Sequence, residues 1–96
     1  MEKKAHRYHL RLDQLSTKTG AGEPASLEFD FSNHDDVLHI VRLMQAKPLF
    51  SDPDEAAQFA VGLKLFSEVM LRHRTDPLFT EVVQAFGPFM KKLKAS

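Results

Sequence analysis

The stretch FDFSNHDDVLHIV, residues 29–41, contains the change of periodicity that decides the fold. Up to Phe31, apolar and charged residues alternate, which is the period of a β-strand with one buried face. From residue 34 the period becomes that of an α-helix with one buried face, on which Val37, Ile40 and Val41 recur at intervals of three and four. The sequence therefore predicts a strand that passes almost directly into a helix.

The polar residues between the two periods are explained as a helix start. Asn33 is the predicted N-cap, with Ser32 as the competing candidate, because both side chains accept hydrogen bonds from backbone N–H groups of a first turn. Asp35 and Asp36 are then predicted in that first turn, where a carboxylate complements the positive end of the helix. This local explanation accounts for every residue of the boundary except His34.

An alternative use of the same segment is a metal or acid–base site. Asp35 and His39 are four residues apart, so on a helix they share one face and make weak candidates for two metal ligands. We favour a helix start with a solvated face. A small metal-binding protein or enzyme that uses the Asp35/His39 region remains the alternative.

Upstream of the boundary, two alternating segments predict an antiparallel hairpin. The strands are expected at about residues 5–13 and 26–31, with one apolar face formed by Tyr8, Leu10, Leu12, Leu27, Phe29 and Phe31. The connection between them is rich in glycine, serine and threonine and is expected to be a flexible loop. Its Gly20-Ala21-Gly22 follows a strand but precedes no helix, so it lacks the context of a phosphate-binding loop.

Downstream, the helical period predicts three helices, at about residues 34–47, 53–73 and 77–94. Asp52-Pro53 and Asp76-Pro77 each combine a good N-cap with proline at the first helical position. Gly87-Pro88 should break or sharply kink the last helix near residue 87. The predicted fold class is therefore α+β, in the order β-β-α-α-α, with residues 1–96 as a single domain whose helices pack on the apolar face of the hairpin.

The second helix has a second apolar stripe, which predicts a subunit interface. The stripe consists of Val61, Leu65 and Val69, and the neighbouring Gly62 would permit close approach of another helix. A two-stranded sheet also leaves two edges without strand partners, which proteins usually cover or pair. We therefore expect a homodimer, joined through this stripe or through the hairpins edge to edge. Coverage of the stripe within one chain is the alternative.

Composition excludes several classes of function. The chain contains no cysteine, which rules out disulfides, zinc–thiolate sites and thiol nucleophiles. Its net charge is zero and its pI is about 7.0, whereas a nucleic-acid-binding domain usually has a clustered basic excess. No apolar run approaches the roughly 20 residues of a membrane span. Nucleic acid is therefore an unlikely partner, a membrane is not expected, and the expected location is the cytoplasm.

The segments FSNHDDVLHIV, GLKLFSEVMLRHR, DPLF and FMKKLK, taken in order, resemble a small bacterial protein family. This family is classified as a domain of unknown function, and the resemblance extends from about Ala5 to Lys94. It implies a short, stand-alone cytoplasmic bacterial protein. It supplies no catalytic residue, cofactor or partner.

These observations favour a small non-enzymatic binding or protein-interaction module with no catalytic or cofactor-binding residues. A nucleic-acid-associated regulator is a further alternative, and it predicts binding that weakens steeply with salt.

Overall fold

The structure is a computed structural model that describes residues 4–20 and 23–96. Two β-strands are followed by two α-helices, a 3-10 turn and a final α-helix, so the fold class is α+β, as predicted. The chain divides into two compact units, Met1–His34 and Asp35–Ser96. That residues 1–96 form a single domain stays a prediction. Ala21 and Gly22 of the predicted glycine-rich loop lie outside the described residues.

The first unit is built on an antiparallel hairpin. Strands β1 (His6–Asp13) and β2 (Ser26–Asn33) pair along their whole length, from His6 opposite Asn33 to Asp13 opposite Ser26. Beyond the last pair, the Gln14 N–H donates to the Ala25 carbonyl oxygen at 2.9 Å. This register places the predicted apolar residues opposite one another, in the pairs Tyr8–Phe31, Leu10–Phe29 and Leu12–Leu27.

The predicted N-cap of the first helix is wrong. Ser32 and Asn33 belong to β2, where pairing with β1 holds them extended, and Asn33 is fully buried. The cap is Asp36, whose carboxylate accepts a hydrogen bond from the His39 backbone N–H at 3.1 Å. Helix α1 therefore spans Val37–Ala46 rather than residues 34–47, and Asp35 precedes it instead of lying in its first turn.

Both aspartate–proline starts are confirmed. Helix α2 spans Pro53–Arg72, and the Asp52 carboxylate accepts from the Asp54 N–H at 2.9 Å. The third helical segment opens as a 3-10 turn, Pro77–Phe79, in which Asp76 accepts from the Leu78 N–H at 2.9 Å. It continues directly into helix α3, Thr80–Ala95.

Helix α3 runs without interruption through Gly87 and Pro88, so the predicted break is absent, and a kink near residue 87 stays a prediction. Proline removes one backbone hydrogen bond of a helix interior but does not always end the helix. Residues on the far side are held by tertiary packing, because Leu93 is buried and Met90 packs beside it.

The core of the helical unit is small. Its main cluster consists of Met44, Ala56, Ala60 and Leu93, surrounded by half-buried apolar side chains, and Val37 and Met70 are buried outside that cluster. Ala56 and Ala60 lie one turn apart on α2 and have no exposed surface, so α1 packs close to α2. The three helices thereby converge on one small apolar centre.

Candidate functional site

Asp35, the first metal-ligand candidate, forms an ion pair within the helical unit. Its Oδ2 lies 2.5 Å from Lys64 Nζ on α2. The Lys64 side chain is 13% exposed and that of Asp35 is 39% exposed, so the ammonium is largely removed from water. A charge in that position needs a partner, because an unpaired buried charge is costly. The contact makes Asp35 a structural counter-ion.

His39, the second candidate, is exposed on α1, and its backbone N–H makes the cap with Asp36. Across residues 4–20 and 23–96, no group of three or more His, Asp or Glu side chains has an arrangement that could hold a metal ion. A metal site at Asp35 and His39 stays a prediction.

The polar face of the hairpin contains a cluster of one histidine and two carboxylates. His9 Nδ1 lies 2.5 Å from Asp30 Oδ1, its direct cross-strand neighbour, and His9 Nε2 lies 2.8 Å from Glu28 Oε2. A neutral imidazole has one N–H, so it can donate to one of these carboxylates but not to both. The geometry therefore fits the imidazolium form.

The pKa values follow this geometry. Hydrogen bonds to Asp30 and then to Glu28 raise the pKa of His9 above its ordinary 6.5. The hydrogen bond from His9 lowers the pKa of Asp30 below its ordinary 3.8. These three residues therefore form a charge cluster that links the two strands.

The predicted interface stripe on α2 is partly covered. Val61 and Leu65 are half-buried, whereas Val69 is 45% exposed. Gly62 is exposed, and a Cβ at this position would meet no atom within 4 Å. Gly62 therefore faces open space. The interface itself stays a prediction.

The apolar face of the hairpin is more exposed than the sequence predicted. Leu12 is 62% exposed, Leu27 56% and Phe29 39%, although their alternation predicted that they point into a core. Leu12 and Leu27 are direct cross-strand neighbours at the loop end of the hairpin. A two-stranded sheet has no second layer of its own, so its apolar face needs another surface to cover it.

A cleft in the helical unit was not foreseen from the sequence. It lies among α1, α2 and α3 and has a volume of about 360 Å³. Three lysines line it, Lys47, Lys64 and Lys94, at positions far apart in the sequence. No local sequence motif connects the three lysines. They lie at one cleft because the three helices pack together.

The fold class is α+β, and a hairpin precedes three helical segments along the chain. The chain belongs to the family described as a domain of unknown function with a solved structure, DUF3861, which matches residues 6–95. This confirms the resemblance found in the sequence.

The crystal structure of a protein of unknown function from Pectobacterium atrosepticum is similar to this chain. It has a TM-score of 0.82 and 32% sequence identity, over 97% of this chain and 100% of the other. No curated protein matches the chain. Among the described residues, no helix combines the length and the apolar character that crossing a membrane requires.

Proposed function

We propose that this protein is a non-enzymatic interaction module of the bacterial cytoplasm that forms a homodimer through the apolar face of its hairpin. The observation that carries the proposal is the exposure of Leu12, Leu27 and Phe29 on one face. Within the described part of the chain, more large apolar side chains are exposed than are buried. Contiguous exposed apolar surface of this kind is typical of interaction sites.

Charge favours the face of the hairpin over its edges as the dimer contact. In a two-fold dimer joined at an edge, a strand pairs with its own copy. Pairing of β1 with β1 would bring Arg7, His9 and Arg11 against the same bases, and pairing of β2 with β2 would bring Glu28 and Asp30 against the same acids. Like charges opposite each other destabilise a sheet. Contact between apolar faces avoids this repulsion.

Light scattering at micromolar concentration tests the proposal. We expect a mass of twice the 10.9 kDa chain for the wild type. Leu27→Glu should give a monomer, because it places a carboxylate at the centre of the proposed contact. Leu78→Glu is the matched control, since Leu78 is 77% exposed in the 3-10 turn, far along the chain from the hairpin. It should leave the dimer intact.

Two results would overturn this assignment. A wild-type monomer at every concentration refutes the dimer. A dimer that survives Leu27→Glu but is lost in Val69→Glu moves the interface to the stripe on α2. Val69 is the better probe of that stripe than Leu65, because Leu65 is half-buried and a charge there would destabilise the chain itself.

A further inference from the structure

The cleft among α1, α2 and α3 combines an apolar floor with a cationic margin. Its apolar lining includes Ile40, Leu43, Met44, Leu63, Met90 and Leu93. Met44 and Leu93 are buried members of the core, so the floor of the cleft is continuous with the apolar centre of the unit. Two of these side chains are methionines, which adapt their shape to fill irregular space.

The charge of the lining has one sign. Lys47, Lys64 and Lys94 line the cleft, and no acidic side chain of the described residues 4–20 and 23–96 does. Lys64 is held by Asp35 at 2.5 Å, and Lys47 donates to the Ser96 carbonyl oxygen at 2.9 Å. Lys94 forms no ion pair with any described residue. An anionic group at the mouth of the cleft would therefore meet a positive charge that has no counter-ion.

The volume of the cleft and the side chains that line it indicate which class of ligand it binds. A volume of about 360 Å³ is near the lower end of the roughly 300–1,000 Å³ of small-molecule sites, and it suits a single short apolar chain. Lys94 supplies one positive charge without a counter-ion, which matches the single negative charge of a carboxylate, whereas a phosphate monoester carries about 1.5 to 2 negative charges at pH 7. A lysine ammonium acts as a point charge and is sufficient for one carboxylate.

We propose that this cleft binds a straight-chain aliphatic carboxylate, a fatty acid of medium length. The tail lies against Met44, Leu63 and Leu93, and the carboxylate pairs with Lys94, with Lys47 beside it. All of these residues belong to the unit Asp35–Ser96. The proposal therefore does not depend on the hairpin interface and survives if the dimer does not exist.

Methyl NMR of methionine-labelled protein tests the proposal with octanoate and decanoate. Titration should shift the methyl signals of Met44 and Met90, which line the cleft, and leave that of the fully buried Met70 in place. Decanoate should bind about 16-fold more tightly than octanoate, because each buried methylene strengthens binding about fourfold. A trimethylammonium amphiphile with the same nine-carbon alkyl tail should bind more weakly than decanoate.

Two lysine variants test the charge. Lys94→Gln should weaken decanoate binding about two- to fivefold, the range expected for an exposed ion pair. Lys91→Gln is the matched control, because Lys91 is an exposed lysine of the same helix that does not line the cleft. It should bind decanoate like the wild type.

The proposal fails under any of three results. Decanoate that shifts no methionine methyl shows that the cleft does not take it. Equal shifts of Met70 and Met44 show non-specific association. Equal weakening in Lys94→Gln and Lys91→Gln shows that overall charge, and not the cleft, attracts the carboxylate.

Discussion

The carboxylate of Asp36 fixes where α1 begins. It accepts the His39 N–H at 3.1 Å and so satisfies one of the backbone donors that have no partner inside the helix. Four polar residues that favour such a position occur within five, namely Ser32, Asn33, Asp35 and Asp36. Their intrinsic preferences are nearly equal. Ser32 and Asn33 do not cap the helix because they pair with β1 as part of β2. The Asp35 carboxylate does not cap it because it forms an ion pair with Lys64, which leaves Asp36 as the cap.

Substitution of Asp36 tests this role. Asp36→Ala should lower the free energy of unfolding by about 1 kcal/mol, whereas Asp36→Ser should retain most of the stability because serine also caps well. Urea unfolding followed by circular dichroism measures both variants. Equal stability of the alanine and serine variants would show that the hydrogen bond to His39 N–H contributes nothing.

His9 makes the hairpin sensitive to pH in a defined direction. Its pKa is raised in the folded hairpin, so its stabilising contribution is fully present below the ordinary 6.5 and is lost as pH rises through the raised value. The pKa of Asp30 is lowered, so its contribution is present above 3.8 and is lost as pH falls through the lowered value. Both contributions are complete between these two ordinary values.

An NMR titration of the His9 ring checks this directly. The wild type should titrate above pH 6.5, since both ring nitrogens face carboxylates. Asp30→Asn should lower the pKa more than Glu28→Gln, because the hydrogen bond to Asp30 is the larger cause of the shift. A larger effect of Glu28→Gln would reverse the assignment of the main partner.

At the scale of elements, the sequence predicted nearly everything that a local pattern can specify. The alternation around Leu10 and Phe29 predicted the hairpin, and Asp52-Pro53 predicted the start of α2 to the residue. Pro88 is a position where the local sequence pattern did not predict the structure. Proline opposes a helix interior by about 3 kcal/mol, yet α3 continues through it, with Leu93 packed into the core beyond it.

Gly62 on α2 gives an element-scale test. Glycine in a helix interior is less stable than alanine by about 0.5–1 kcal/mol, and an added Cβ would meet no atom of the chain within 4 Å. Gly62→Ala should therefore raise the free energy of unfolding by that amount in a urea titration. The dimer should persist in light scattering, because the proposed contact is on the hairpin. Dissociation of this variant would place a neighbouring helix against Gly62.

At the scale of the whole molecule, the two features on which the proposals rest, the cleft and the exposed apolar face, could not be predicted from local sequence patterns. Lys47, Lys64 and Lys94 meet at one cleft because three helices pack together, and no spacing along the chain predicts this. The exposure of Leu12 and Leu27 is equally non-local, since alternation shows which residues share a face but not what covers it. The family match extends the same fold to relatives without supplying a ligand.

The polar side chains of the two strands carry opposite charges, and this charge difference affects how the protein associates in concentrated solution. β1 carries the bases Arg7 and Arg11, and β2 carries the acids Glu28 and Asp30. Two copies can place β1 of one beside β2 of the next with opposite charges facing. That arrangement is head-to-tail, so it adds further copies without limit wherever the rotation between neighbouring copies does not close a ring. The charge pattern that disfavours a closed dimer at the edges thus favours a growing fibre, and moderate salt, which screens the attraction, should keep the chains apart.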